Sequence, residues 1–328
     1  MRRAKWAAVA LMGALVMSAC SSGNSGGDDS SGEATVVEHS FGSTTVEGVP
    51  ERIVAGGSQW VDALLEFGVQ PVAYLSAANQ GDDRGLYPWQ QDVSEDAEEL
   101  DRSAAMIGAM PPVEQIASYA PDLILTTSTN LNPSSYDQLS GVAPTVPSIT
   151  DAGVDPWEEQ IAVLGRILHE EDRADQIIAE RNGDIEALAQ RLPGLEGKTA
   201  VLSQFMFGTS QFVLVADPED GAAQTFRRLG MTLPPTLMEE GGVSGGRIML
   251  SAERVDALTA DLVVLLPNGG TREGLDALPG FSDLPAVKGG GLAVVDYPTV
   301  VAFNTPSSLS LEYGLDKITP QLEAVAGR

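Results

Sequence analysis

The chain has 328 residues, of which 43% are hydrophobic, and this is enough for two domains of ordinary size with buried cores. Its formal net charge of −27 at pH 7 argues against nucleic acid or anionic lipid surfaces as partners, and an anionic ligand would need local arginines. The single cysteine excludes an intramolecular disulfide, so the fold must be held by packing.

Residues 1–19 have the pattern of a secretory signal, with basic residues first and then an apolar run over residues 6–17. That run is too short to span a bilayer, which takes roughly 20 residues. Residues 17–20 resemble the bacterial lipobox, and this resemblance implies that Cys20 becomes lipid-modified and begins the mature chain. We therefore expect an exported protein, held by its lipid at the outer face of the cytoplasmic membrane. A plain secretory signal with an incidental cysteine is the alternative.

Residues 20–50 are predicted to be a flexible, lipid-anchored tether, because residues 21–33 are mostly Ser, Gly and Asp. The chain has two histidines, His39 in or near this tether and His169 in mid-chain. Neither has a partner at a metal-ligand spacing, so both are expected to be solvated. The sequence therefore predicts no metal site made by the protein.

Residues 51–154 are predicted to form an N-terminal α/β lobe. Its opening, residues 51–74, has the pattern of a strand, a helix that closes at Gly68 and a second strand. This order predicts a parallel sheet with a right-handed crossover. An acidic stretch from Ser76 to Arg102 follows, and a loop of this length inside a compact domain is usually functional or disordered.

Residues 155–192 are predicted to form a helix that bridges two lobes. Asp155 suits the position before the helix and Pro156 suits its first turn, while apolar residues recur at helical spacing along the segment. The apolar stripe shifts by one residue across residues 169–172, so we expect a kink or a two-helix joint there. At a rise of ~1.5 Å per residue the segment would span about 55 Å, more than one compact domain needs.

Residues 193–328 repeat the alternation of strands and helices and are predicted to form a C-terminal α/β lobe. The repeat is most distinct in two pairs of acidic residues, since Glu114 and Asp122 recur at the same spacing as Glu253 and Asp261. A unit that occurs twice indicates duplicated lobes. The predicted fold class is therefore α/β, with two Rossmann-like lobes that have mainly parallel sheets and are joined by one long interlobe helix.

In its order of elements the sequence resembles the substrate-binding proteins of ABC importers for iron–siderophores, cobalamin and haem, over roughly residues 51–325. The resemblance is carried by residues 52–74, the two Glu–Asp pairs and the mid-chain helix. Siderophore receptors are the most similar members, judged by this opening and by residues 278–287. The resemblance implies capture of a ferric siderophore between the lobes and its delivery to an ABC permease dimer. A cobalamin or haem binding protein of the same fold, or an envelope lipoprotein that senses a ligand without feeding a transporter, is the alternative.

The resemblance also implies that Glu114 and Glu253 dock onto arginines of the permease, since the family has a glutamate at this place on each lobe. A favourable charge near the start of a helix is the structural alternative for both. A ferric siderophore brings its own iron ligands, so no cofactor is expected. The protein is expected to be a monomer.

Candidate ligand contacts follow from the rule that ligands of open parallel α/β sheets lie beyond the carboxyl ends of the strands. Aromatic walls with a few polar groups suit large planar ligands, and loop arginines suit ligand oxygens. The same side chains could instead pack in the core or pair with the many carboxylates. The predicted contacts are Ser58, Gln59, Trp60, Arg84, Tyr87, Trp89, Gln204, Phe205, Phe207, Arg247, Asn268 and Asn304, together with residues 128–130.

An exported hydrolase is the main rival class. Residues 242–246 match the G-x-S-x-G pattern, but a nucleophile elbow needs a preceding strand, and none is predicted there. No histidine follows His169 to act as a general base, so no catalytic residue is predicted and the chain is not expected to be an enzyme. A zinc or manganese receptor would want a cluster of histidines and carboxylates, and two histidines do not supply it.

Overall fold

The structure, a computed structural model, describes residues 34–77, 80–100, 113–127, 131–150, 154–240 and 244–328. The predicted signal, Cys20 and the first part of the predicted tether lie outside these ranges, as do residues 128–130. Among the helices in the described ranges, none combines the length and the apolar character needed to cross a membrane.

The described chain begins with an antiparallel hairpin of two strands, β1 (Thr35–His39) and β2 (Gly42–Val46). Alternate side chains of both strands are buried, and Val37 and Val46 belong to the main hydrophobic core. The prediction of a flexible tether over residues 20–50 is therefore wrong over this hairpin, which is anchored to the folded body by its buried face.

His39 is buried in the hairpin, with 8% of its surface exposed, and the expectation that it is solvated is wrong. Its Nδ1 accepts the backbone N–H of Phe41 at 3.2 Å, so the ring proton lies on Nε2. The Thr44 hydroxyl donates to the carbonyl oxygen of Thr145 at 2.6 Å, and it therefore accepts from Nε2 at 2.9 Å. Burial lowers the pKa of His39 from its ordinary value, which keeps the ring neutral at pH 7. His169, in contrast, is exposed as expected.

The N-terminal lobe is built on a sheet of five strands that are all parallel. The strands are β3 (Ile53–Ala55), β4 (Ala73–Leu75), β5 (Glu98–Leu100), β6 (Leu123–Leu125) and β7 (Thr145–Val146), in the spatial order β5-β4-β3-β6-β7. The helices are α1 (Ser58–Glu66), α2 (Val113–Ser118) and α3 (Pro133–Ser140). The central strands β3 and β6 are apolar and fully buried, as is usual when helices cover both faces of a parallel sheet.

The bridge between the lobes consists of two helices, α4 (Trp157–Leu168) and α5 (Glu171–Arg191). Their joint is at His169, which has left-handed backbone geometry with φ 56° and ends α4. The predicted break is therefore confirmed, and the segment is not one uninterrupted 38-residue rod but a pair whose longer member, α5, has 21 residues. The helices come close at the joint, where a Cβ added to Gly165 would lie 2.6 Å from the Cβ of Ala174.

The C-terminal lobe is built on a mixed sheet of five strands. The strands are β8 (Ala200–Met206), β9 (Gln211–Val215), β10 (Arg247–Ser251), β11 (Leu262–Asn268) and β12 (Leu292–Val294), in the spatial order β10-β9-β8-β11-β12. Strands β8, β11 and β12 are parallel, whereas β9 and β10 add an antiparallel edge that the sequence analysis did not predict. The helices are α6 (Gly221–Arg228), α7 (Pro235–Glu239), α8 (Arg272–Asp276), α9 (Pro285–Gly289), α10 (Tyr297–Asn304) and α11 (Ser308–Ala326).

The aspartates of the two predicted Glu–Asp pairs make equivalent contacts in the two lobes. Asp122 directly precedes β6, and its carboxylate accepts the backbone N–H groups of Glu51 and Arg52 at the start of β3, each at 2.8 Å. Asp261 directly precedes β11, and its carboxylate accepts the N–H and hydroxyl of Thr199 at the start of β8, at 2.9 and 3.0 Å. In both lobes, an aspartate therefore ties the start of one central strand to its parallel neighbour.

The two lobes share their largest hydrophobic cluster, each also has a smaller cluster of its own, and the described residues belong to one compact unit. The main apolar cluster contains Leu123 of the N-terminal sheet and Leu262 of the C-terminal sheet. The Arg181 guanidinium of α5 adds a polar link, because it pairs with Glu66 of α1 at 3.0 Å and with Glu312 of α11 at 2.9 Å. The predicted α/β fold with two lobes is confirmed, and the lobes are joined by packing as well as by the bridge.

Candidate functional site

A cavity of about 170 Å³ lies beyond the carboxyl ends of the N-terminal strands. It is lined by residues that follow β3, β4, β6 and β7, which is where ligands of open α/β sheets bind. We call this surface the N-lobe wall. Its lining residues within the N-terminal lobe are Gly56, Gly57, Ser58, Gln59, Leu75, Ser76, Ala77, Tyr87, Thr127 and Ser148.

A second cavity, of about 520 Å³, lies on the side of the C-terminal lobe. We call its C-terminal surface the C-lobe wall, which is formed by Asp217, residues 219–221, residues 245–247 and Asn304. Val154 lines both cavities, and Thr305, next to Asn304 in the chain, lines the first one. The two cavities therefore adjoin and form one interlobe crevice with a wall from each lobe.

Tyr87, which is 5% exposed, lines the crevice from the middle of a loop that the sequence analysis expected to be functional. Its ring stacks on Trp89 with centroids 4.7 Å apart and planes 9° from parallel, and Trp89 in turn contacts Tyr313 of α11 at 5.2 Å. Arg84 does not reach the crevice lining, because its guanidinium donates to the carbonyl oxygens of Val93 and Ser94, at 2.9 and 2.6 Å. Arg84 thus braces the loop that presents Tyr87.

Asp62 lies behind the N-lobe wall, and the sequence analysis did not identify it. This carboxylate is 1% exposed and accepts from Trp89 Nε1 at 2.9 Å, from Gln90 Nε2 at 2.5 Å and from the Ser307 hydroxyl at 2.5 Å. Burial raises the pKa of Asp62 to about 7, although the three donors work against this by stabilising the charged form. Since Ser307 caps α11, the contact also ties α1 to the C-terminal lobe.

Gln59 and Asp155 hold the base of the crevice. The Gln59 amide donates to the carbonyl oxygen of Pro306 at 2.6 Å and to that of Asp155 at 3.3 Å. The Asp155 carboxylate does not cap α4, as the sequence analysis expected, because that helix begins after Pro156 without a side-chain cap. It accepts instead from the N–H groups of Ile149 and Thr150, each at 2.9 Å, and from the Thr150 hydroxyl at 2.8 Å.

The C-lobe wall is organised around Arg247 at the start of β10. Its guanidinium is paired with the Asp220 carboxylate and also donates to Asn304 Oδ1 at 2.8 Å. Gln204 lines a small recess beside Arg247 and Asn304, and its Oε1 accepts from Asn268 Nδ2 at 3.1 Å. The structure therefore brings together the polar residues predicted for this lobe.

Two predicted ligand contacts, Trp60 and Phe205, are corrected, because both are core residues. Trp60 is 0% exposed and its Nε1 donates to the carbonyl oxygen of Thr126 at 2.8 Å. Phe205 is 2% exposed, and since side chains alternate along a strand it points away from the face that carries Gln204. Phe207 is also directed into packing, where its ring faces Phe205 edge-on at 4.8 Å.

The remaining predicted sites are placed as follows. Glu114 on α2 and Glu253 after β10 are both exposed. Ser244 of the G-x-S-x-G match is exposed and lies in a tight turn, where its N–H donates to the Arg247 carbonyl oxygen at 2.8 Å. Within the described ranges, no three His, Cys, Asp or Glu side chains come together as a group that could hold a metal ion.

Comparison with known proteins gives consistent results. The family model for periplasmic binding protein matches residues 97–298. The chain is 29% identical over 206 residues to the probable siderophore-binding lipoprotein YfiY of Bacillus subtilis (strain 168), a match that covers 62% of this chain but only 60% of that relative. It is 25% identical over 301 residues to the Fe(3+)-citrate-binding protein YfmC of the same organism, covering 90% of each chain.

Among solved structures, the fold is similar to PiaA of Streptococcus pneumoniae TIGR4 in complex with ferrichrome. The TM-score is 0.69 at 25% sequence identity, and the superposition covers 89% of this chain and 98% of that one.

Proposed function

The chain belongs to the periplasmic binding protein family, and from this premise we propose that it captures a ferric siderophore in the interlobe crevice and delivers it to the permease of an ABC importer. Cys20 carries the lipid that holds the exported protein at the outer face of the cytoplasmic membrane, and the protein acts as a monomer. The iron is cargo and arrives already chelated, so the protein binds the chelate and not the bare ion.

The observation that carries this proposal is the composition of the crevice. A stacked aromatic side chain, Tyr87, faces it from one lobe, and a set of polar side chains faces it from the other. Ligand sites of this kind combine apolar or aromatic area with a few placed polar groups. The residues we assign to ligand contact are Ser58, Gln59, Tyr87, Gln204, Arg247 and Asn304.

Ligand capture involves only modest lobe motion. Gln59, Asp62 and Arg181 each bond across the two lobes, and a shared core continues behind these contacts. A wide hinge swing would break all of them, so only a small closure of the crevice is compatible with these contacts. Small-angle scattering with and without ligand should therefore give nearly the same radius of gyration.

The binding proposal is tested by titrating the purified protein with ferric hydroxamates, ferric catecholates, haem and cobalamin while tryptophan fluorescence is recorded. A bound ferric chelate should quench Trp89, which stacks on Tyr87. Tyr87→Ala should weaken binding about tenfold, because one aromatic contact contributes about 0.5–1.5 kcal/mol beyond its buried area.

Tyr297→Ala is the matched control, since Tyr297 is an exposed tyrosine that lines none of the crevice surfaces described above. Calorimetry provides the affinity independently of fluorescence. If Tyr297→Ala weakens binding as much as Tyr87→Ala, the crevice is not the site, and if none of the ferric chelates binds, the proposed function is rejected.

Permease docking by Glu114 and Glu253 is a second part of the proposal. Both side chains are exposed and occupy related places in the two halves of the duplicated chain. The double variant Glu114→Arg with Glu253→Arg should abolish iron uptake in cells, because its positive side chains would face the arginines of the permease and repel them. Ligand affinity should be unchanged. Glu180→Arg, an exposed charge reversal on α5, serves as the control. Normal uptake by the double variant would refute docking but not ligand binding.

A further inference from the structure

We propose that the crevice selects neutral or cationic ferric chelates over anionic ones, and that Asp220 sets this preference by occupying Arg247. This inference rests on the proposed function, because it specifies the ligand class of the same crevice. It follows from the charges on the two walls and from how each is already paired.

The N-lobe wall offers no free charge among the described residues. Its lining is made of small, apolar and amide or hydroxyl side chains around Tyr87. Asp155, which closes the same cavity, has both carboxylate oxygens occupied by three donors from Ile149 and Thr150. A ligand in contact with this wall therefore meets hydrogen-bonding groups and an aromatic ring, but no cation that could balance a negative charge.

The C-lobe wall is acidic. Within the described ranges, three carboxylates line it, those of Asp217, Glu219 and Asp220, against one guanidinium, that of Arg247. An anionic chelate seated here would lie beside Asp217, which has no salt bridge among the described residues, and beside Glu219, whose contact with Arg227 at 3.4 Å is exposed and screened by solvent. The negative charges of the ligand and of these carboxylates repel each other, and the repulsion is stronger in a partly enclosed crevice than in bulk water. A cationic chelate would be attracted by the same groups.

Arg247 is the one cation on this wall among the described residues, and both of its terminal guanidinium nitrogens already have acceptors. One guanidinium nitrogen pairs with Asp220 and another donates to Asn304. The side chains of Arg247 and Asp220 are 25% and 13% exposed, so solvent screens their pairing only in part. An incoming carboxylate could form an end-on forked bond with Nη1 and Nη2 only by displacing Asp220 and Asn304.

Asp220 is itself fixed in place, which makes displacement harder. Its Oδ1 caps α6 by accepting the N–H of Ala222 at 3.0 Å, while Oδ2 holds Arg247. The backbone of Gly246 packs against the same group, since a Cβ there would lie 3.6 Å from Asp220 Oδ2. The carboxylate therefore acts as a built-in anion that fills the position an anionic ligand would need.

The test compares three ferric chelates on the wild-type protein and on Asp220→Asn. Ferrichrome is neutral, ferrioxamine B carries one positive charge, and ferric citrate is anionic. Asparagine caps helices as well as aspartate does, so Asp220→Asn should keep α6 while freeing Arg247. Asp217→Asn is the matched control, because it removes the same charge from the same wall and leaves the Arg247–Asp220 pair in place.

We expect wild-type protein to bind ferrichrome or ferrioxamine B at least about tenfold more tightly than ferric citrate, and Asp220→Asn to improve ferric citrate affinity about tenfold. The gain should shrink as salt is raised, since it is electrostatic. Asp217→Asn should give a clearly smaller gain.

The inference is overturned if wild-type protein prefers ferric citrate, or if the two Asn variants gain equally, because pairing with Arg247 would then not matter. Either result would leave siderophore capture intact. Failure of wild-type protein to bind any of the three chelates, or those in the broader panel, would instead reject the proposed function itself.

Discussion

The two lobes have the same central strand pairing but handle charge at the crevice in different ways. Behind the N-lobe wall, the buried carboxylate of Asp62 is held by three neutral donors, and no cation among the described residues pairs with it. On the C-lobe wall, Asp220 is paired with Arg247, and Arg247 is available only because the antiparallel strand β10 is added to the sheet edge. The two lobes therefore have the same central strand pairing, and the strands and side chains around it determine how each lobe places charge at the crevice.

The largest predicted effects test whether lobes that differ in this way still unfold together. Trp60→Ala in one lobe and Phe205→Ala in the other should each lower the free energy of unfolding by about 3–5 kcal/mol, because each empties a fully packed site. All four tryptophans precede residue 158, so tryptophan fluorescence reports on the N-terminal lobe and the bridge. Phe205 belongs to a cluster of the C-terminal lobe alone, but a larger cluster joins the two lobes, so Phe205→Ala should shift the fluorescence and circular dichroism midpoints of denaturation equally.

Tyr297→Ala is again the control, with an expected change within about 0.5 kcal/mol at an exposed site. If Phe205→Ala produced an early transition seen by circular dichroism but not by fluorescence, the lobes would be separate folding units. The comparison would then be between two domains, and not between two regions of one cooperative structure.

Trp60 and Phe205 also show where prediction from sequence stopped. The central parallel strands, the two-lobe order and the break at His169 could be predicted, because they depend on local patterns of apolar residues and on helix-ending signals. The rule that ligands lie beyond the ends of strands placed Trp60 and Phe205 correctly near the crevice. It did not predict the direction in which their side chains point. A one-residue change in where the strand or helix begins turns a side chain from crevice to core.

Asp62 could not be predicted for a different reason. Its partner Ser307 is 245 residues away in the chain, and nothing in the local sequence of α1 distinguishes Asp62 from an exposed helix residue. Strand β10 was similarly missed, because Arg247 was expected in a loop and the residues just before it, 242–246, were considered only as a possible nucleophile elbow. Contacts that depend on how two distant elements meet are not encoded in local periodicity.

The second prediction concerns a pH dependence of stability that arises from Asp62, behind the N-lobe wall. The pKa of Asp62 is raised to about 7 in the folded protein, whereas an unfolded aspartate titrates near 3.9. Between these values the folded state holds one proton more than the unfolded state. Unfolding therefore becomes easier as the pH rises through this window, by at most about 1.4 kcal/mol per pH unit from this group.

Asp62→Asn removes this titration, so the difference in unfolding free energy between wild type and variant should change steadily from pH 4 to pH 7 and be constant above pH 8. Urea denaturation at each pH measures it. Asp316→Asn, an exposed carboxylate on α11, should give a curve parallel to wild type. Parallel curves for wild type and Asp62→Asn would mean that folding does not change the pKa of Asp62. The two lobes would then not differ in the electrostatics of their buried carboxylates.

The smallest predicted effect compares the two aspartates that occupy equivalent places in the lobes. Asp261→Ala leaves the N–H and hydroxyl of Thr199 without their partner in a half-buried site, whereas Asp122 is exposed and water can replace it at Glu51 and Arg52. We expect losses of about 1–3 kcal/mol for Asp261→Ala and about 0.5–1.5 kcal/mol for Asp122→Ala, since an unpaired buried donor costs more than a solvated one.

The corresponding asparagine variants keep one acceptor oxygen and should recover part of each loss, which separates the hydrogen bonds from the charge. Thermal and urea denaturation of the four variants provide the measurement. If Asp122→Ala were the more damaging change, burial would not set the strength of these contacts. The two lobes would then differ in how strongly each depends on its first central strand, and the N-terminal sheet, with its three-residue strands β3 and β6, would be the more dependent one.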